Sequence, residues 1–159
     1  PRSSRQPARS EYAEQARRPR IAQSGRCVVT VLLVDDFVDA LEVWTLFLSA
    51  AGFSVATAAD GAAGLDKART LRPDAIVMDL QMPGLSGPEV ARALRADDAT
   101  RDIPLIAATG HVRGEDARAA GFDSIVAKPC DPDALVAEIR RLVSGRSPRR
   151  GAPPLADPA

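Results

Sequence analysis

The strongest constraint on the fold is a strict alternation that begins at Val28. Val28 to Val34 reads Val-Val-Thr-Val-Leu-Leu-Val, a continuous β-branched and aliphatic run that ends abruptly at Asp35-Asp36. Such a run suits a strand buried on both faces. Ala40, Leu41, Val43, Trp44, Phe47, Leu48 and Ala51 then recur at helical spacing before Gly52, which predicts an amphipathic helix with a glycine stop. The pattern repeats as strand 54–58, helix 62–71, strand 75–79, helix 87–96 and strand 103–109. A short strand at 124–127 and a helix at 132–143 complete it, with Asp131 and Asp133 at the start of the last helix. Parallel strands cannot be joined by hairpins, so five strand–helix units with short connections predict a doubly wound α/β sheet with helices on both faces.

Outside this block the texture changes. Residues 1–27 are rich in Arg, Pro, Ser and Gln without an apolar period, and 145–159 are rich in Arg, Pro, Gly and Ala. Neither segment carries enough apolar surface to offset the entropy of ordering it, so both are expected to be disordered arms. The chain begins at Pro, and the short C-terminal segment is expected to leave no room for an output domain. Charge divides the same way. Seven Arg against two Glu give 1–27 a net +5, three Arg against one Asp give 145–159 a net +2, and 28–144 must carry −7 for the total of zero. An acidic globular part repels phosphate backbones, which argues against nucleic-acid binding by the domain surface. Only the arms are basic, and with Tyr12 their one aromatic, solvated charge is the simpler reading.

Cys27 and Cys130 form no CxxC or Cys/His pattern, so neither a disulfide framework nor a zinc site is indicated and a reducing cytoplasm is expected. No run is long enough for a bilayer span or a signal-peptide core.

In open parallel sheets the reactive crevice lies beyond the carboxyl ends of the strands. Polar residues fall there four times: Asp35-Asp36, Asp79, Thr109 and Lys128. One Asp after a strand is commonly a turn or cap residue, and it is the combination that points to chemistry. A hard cation such as Mg²⁺ prefers oxygen ligands, which Asp36 and Asp79 would supply directly. The backbone carbonyl of Gln81 would add a third, and Asp35 would act through a metal-bound water or a hydrogen bond. Clustered carboxylates repel one another unless a cation is present, which accounts for part of the acidic balance. A carboxylate flanked by a divalent ion and Lys128 is a plausible phosphoryl acceptor, with Thr109 donating a hydroxyl to the phosphate.

These residues resemble the receiver domain of two-component response regulators. The resemblance rests on Leu33-Val34-Asp35-Asp36, Val77 to Gly84 with Gly87, Ala107-Ala108-Thr109-Gly110 and Lys128-Pro129, and covers 28–144. It implies a flavodoxin-like (βα)5 fold with strand order 2-1-3-4-5. It further implies Asp79 as phosphoacceptor, Asp35 and Asp36 as the acidic pocket, Thr109 as switch hydroxyl, Lys128 as phosphate contact, a cis Lys128–Pro129 bond and Mg²⁺ or Mn²⁺ as cofactor. A histidine kinase or histidine phosphotransfer protein would donate the phosphoryl group, an unidentified protein would read the result, and no DNA-binding domain or membrane span is expected. The only catalysis implied is self-phosphorylation and dephosphorylation. Gln81 and His111 resemble positions that tune phosphate lifetime.

Two departures concern output. Ile125 stands three residues before Lys128, where the family usually has Tyr or Phe. The segment 109–128 is about one turn short, with glycines at 110, 114 and 121 limiting its helix to about Glu115–Ala120. A receiver fragment of a hybrid kinase or phosphorelay remains an alternative. An aspartyl-nucleophile phosphatase of the haloacid dehalogenase type lacks its DxD motif here, and a nucleotide-binding domain lacks its glycine-rich loop.

Overall fold

The computed structural model describes residues 28–110 and 114–145; the proposed arms, apart from Gly145, and His111 lie outside them. Among the described residues five strands and five helices alternate: β1 Thr30–Val34, α1 Val38–Ala50, β2 Ser54–Ala58, α2 Gly61–Leu71, β3 Ala75–Asp79, α3 Gly87–Ala96, β4 Leu105–Thr109, α4 Gly114–Ala120, β5 Ser124–Ala127 and α5 Pro132–Ser144. All pairings are parallel, in the order β2-β1-β3-β4-β5. Strand alternation divides the apolar residues between two layers. Leu32, Val34, Ile76 and Met78 pack with Ala68, Val90, Leu94 and Ala117 beneath α2, α3 and α4. Val31, Leu33, Val77 and Ile106 pack with Leu41, Leu48, Leu135 and Ile139 beneath α1 and α5.

The starts of two strands differ from the sequence expectation. β1 begins at Thr30, two residues late, with its N–H donating to the Asp74 carboxylate at 2.7 Å. β4 begins at Leu105 instead of residue 103, because Ile103 closes a turn onto the Thr100 carbonyl and Pro104 has no N–H for the ladder. In α1 the apolar stripe is wider than the sheet it covers. Leu41 and Leu48 are buried, Trp44 is half-buried, and Val43, Leu46 and Phe47 face outward.

α4 is seven residues long, as the three glycines anticipate. Its end is secured from α3, where Arg95 donates to the carbonyls of Gly121 and Ile103 and pairs with Asp123 at 2.9 Å.

Candidate functional site

Because β3 lies at the centre of the sheet and β1 beside it, the chain turns to opposite sides after these two strands, and a crevice opens between their carboxyl ends. Asp35 and Asp36 leave β1 into that crevice, and Asp79 closes β3 next to them. Carboxylate oxygens of all three lie within 4.8 Å of one another, with Asp35 buried, Asp79 half-buried and Asp36 exposed. Oxygen donors grouped this closely at the rim of a crevice fit a hard divalent cation that retains water.

Lys128, the first residue after β5, reaches in from the far side. Its Nζ lies 2.7 Å from Asp35 and 3.6 Å from Asp79, so its nearest carboxylate is Asp35 rather than the proposed acceptor. Burial works against the lysine's charge, but the hydrogen bond it donates to Asp35 and the charges of Asp35 and Asp79 outweigh it and hold its pKa above the ordinary value. The ammonium ion is thus fixed at neutral pH. The Lys128–Pro129 peptide is cis.

Local hydrogen bonds aim the carboxylates. One Asp35 oxygen accepts the Phe37 N–H at 2.9 Å while the other takes Lys128. One Asp79 oxygen accepts the Gln81 N–H at 3.1 Å, leaving the second directed at Lys128. Thr109 ends β4 fully inside the protein, and its carbonyl accepts the Lys128 N–H at 2.8 Å, which ties those two strand ends together. Gln81 is the second residue of the loop 80–86 that follows Asp79, where Met82 is buried and Leu80 and Leu85 pack on the core. Asp35, Asp36, Asp79 and Lys128 therefore converge, and Thr109 is joined to Lys128 through the backbone. His111 lies outside the described residues, and Ile125 is half-buried against the α2–α4 layer.

Two glycines that frame the loop matter more than their spacing in the sequence suggests. A Cβ on Gly87 would lie 2.5 Å from the Asp79 carbonyl oxygen. One on Gly61, at the start of α2, would lie 2.2 Å from the Leu85 carbonyl oxygen. The signal for Gly61 was present in the sequence: Asp60 is a good helix cap, and a glycine directly after it in a helix marks a close approach rather than a helical preference.

The outer face of α1 and the turn before it expose a row of apolar side chains: Phe37, Val38, Val43, Leu46 and Phe47. Trp44, the only tryptophan, lines a small, mainly apolar cavity shared with Asp35, Asp79 and Lys128.

The fold and this crevice define a class, and the comparisons agree on it: residues 31–140 match the family of the response regulator receiver domain. The chain belongs to that family. It is 38% identical over 110 residues to the DNA-binding response regulator MtrA of Mycolicibacterium paratuberculosis, covering 69% of this chain and 49% of that protein. It is 42% identical over 119 residues to the transcriptional regulatory protein PrrA of Mycobacterium bovis, covering 73% and 50%. The chain thus spans about half the length of these curated relatives. Among solved structures it is similar to the chemotaxis protein CheY4 of Vibrio cholerae, with a TM-score of 0.69, 31% identity and coverage of 73% of this chain and 99% of that one. It is also similar to the receiver domain of the sensor histidine kinase PA1611 of Pseudomonas aeruginosa, with a TM-score of 0.70, 31% identity and coverage of 74% and 99%. That structure has a magnesium ion coordinated in its active-site cleft. Among the described residues no helix is long and apolar enough to cross a membrane.

Proposed function

We infer that this chain is a phosphoacceptor of a two-component system, taking a phosphoryl group on Asp79 and changing partner binding as a result. The observation that carries the reading is the convergence of Asp35, Asp36 and Asp79 within 4.8 Å, with the Lys128 ammonium 2.7 Å from Asp35 and 3.6 Å from Asp79. Asp36, Asp79 and the Gln81 carbonyl would hold Mg²⁺ or Mn²⁺, with Asp35 held alongside by Lys128. When bound, the ion supplies positive charge to the oxygens of the phosphoryl group in transfer.

The chain's own residues do the rest. The Asp79 oxygen left unengaged by the Gln81 N–H attacks phosphorus. An O–P bond forms, the P–N bond to the donor's histidine breaks, and the bonding pair leaves with the imidazole. Lys128 is already oriented toward that oxygen and stabilises the charge on the phosphoryl group without reorganisation. The Thr109 hydroxyl donates to the phosphate once it is in place. Water attacking phosphorus later returns Asp79 to a carboxylate and releases inorganic phosphate.

A histidine kinase or histidine phosphotransfer protein is the donor, and it reaches Asp79 from the rim. The exposed Phe37, Val38, Val43, Leu46 and Phe47 supply an apolar surface for such a protein. Readout by the downstream partner does not bury an aromatic ring at residue 125, because Ile125 stands there. The similarity to the receiver of PA1611, a sensor histidine kinase, makes a receiver within a hybrid kinase the second reading.

Incubation with acetyl phosphate and Mg²⁺, followed by intact mass spectrometry, tests the proposal. The native chain is expected to gain one phosphoryl group and Asp79→Asn none. Absence of any gain in the native chain removes the reading.

A further inference from the structure

We propose that Gly61 is a positioning residue for the cation site: the start of α2 is the seat against which the loop 80–86 is set. The inference rests on the receiver reading and extends it to an element that holds none of the proposed ligands.

Gly61 is buried and is the first residue of α2. A Cβ there would meet the Leu85 carbonyl oxygen at 2.2 Å, the Leu85 carbonyl carbon at 3.2 Å and Val90 Cγ2 at 2.9 Å. The first two are backbone atoms, so no rotamer change relieves the overlap and either α2 or the loop must move. α2 is held in place at its far end, where the Arg69 Nε–H donates to the Asp97 carboxylate at 3.0 Å. The Asp60 carboxylate caps it by accepting the Ala63 N–H at 2.7 Å, and the Asp60 carbonyl accepts the Gly64 N–H at 3.0 Å. One turn on, a Cβ at Gly64 would lie 2.8 Å from Val34, so the helix already sits as close to β1 as glycine allows.

The loop is the softer partner. Its two ends are held by the Asp79 strand and by the Ser86–Glu89 capping box of α3. Gly87 rests on the Asp79 carbonyl, and the Gly87 N–H donates to the Leu80 carbonyl at 3.2 Å. Leu85 is therefore the point at which α2 sets the loop between those ends. Gln81, whose carbonyl is the proposed third protein ligand, lies in the same short loop. Displacing Leu85 moves that carbonyl relative to Asp36 and Asp79, and ligand sets tolerate little displacement.

The test uses the intact chain and reads cation affinity directly, from the free-ion signal of Mn²⁺ in electron paramagnetic resonance. Thermal unfolding in EDTA reports stability separately. Gly61→Ala is expected to weaken Mn²⁺ binding roughly tenfold, the scale of losing support for a metal ligand. Ala68→Gly, in the same helix but away from the loop, is expected to lower the unfolding temperature with unchanged affinity. Adding Val90→Ala to Gly61→Ala removes the side-chain overlap but not the carbonyl one, so affinity stays low. Leu85→Gly loosens the loop at the same contact without a clash, and it too is expected to weaken binding, which covers the case of Gly61→Ala failing to fold. Native affinity in both Gly61→Ala and Leu85→Gly overturns the inference alone, as does rescue by Val90→Ala. A native chain that takes up no Mn²⁺ overturns the receiver reading and this inference with it.

Discussion

At the scale of single residues, the site is a balance between three carboxylates and one ammonium ion. Asp35 is 8% exposed, and its partner is Lys128 at 2.7 Å. Replacing Lys128 with Met leaves that buried carboxylate without its cation, and stability in EDTA is expected to fall by about 2 kcal/mol. The same replacement leaves the cluster more negative, so saturating Mg²⁺ should raise the melting temperature of Lys128→Met by more than that of the native chain. Differential scanning fluorimetry with and without Mg²⁺ checks both statements, and equal Mg²⁺ increments would show that Lys128 does not share the carboxylates with the ion. The role of Lys128 beside acids was readable from its strand-end position. Its preference for Asp35 over Asp79 was not, because that choice depends on how deep each carboxylate sits once the strands are stacked.

At the scale of elements, α5 shows how a helix is fixed to the edge strand β5. Hydrogen bonds from Arg141, and then from Ser124 in β5, hold the Glu138 carboxyl down to about 2, against a smaller opposing effect of burial. A carboxyl whose pKa is depressed on folding adds stability that is present above the unfolded value of 4.5 and lost as pH falls toward about 2. The native chain should therefore lose stability more steeply across that window than Glu138→Gln, by about 1 kcal/mol for a partly exposed pair. Urea unfolding at a series of acid pH values measures the slope, and parallel slopes would exclude the Glu138 contribution. α1 is instructive in the opposite direction. Its apolar positions announced a helix correctly, yet Val43 and Phe47 belong to the exposed face, 50% and 47% accessible. Helical periodicity reports that a face is apolar, and the width of the sheet decides how much of that face is covered.

At the scale of the whole molecule, both apolar layers are assembled from residues between Val29 and Val143. A chain cut to 28–145, which retains every one of them, is expected to keep the melting temperature and the acetyl phosphate loading of the full chain. A large drop in either would mean that an arm contributes packing or substrate contacts. The sequence by itself determined the five-fold alternation, the strand ends at which Asp35, Asp36, Asp79, Thr109 and Lys128 fall, and the shortness of α4. These follow from periodicity, from glycine spacing and from the rule that parallel strands expose their carboxyl ends together, all of which act over a few residues or one unit. Tertiary structure alone decided the Asp35–Lys128 pairing across 93 residues, the Gly61 seat on Leu85 and the outward turn of Phe47. Those outcomes depend on the distance between elements remote in sequence, which is set by close packing of the assembled layers and is not encoded in any local pattern.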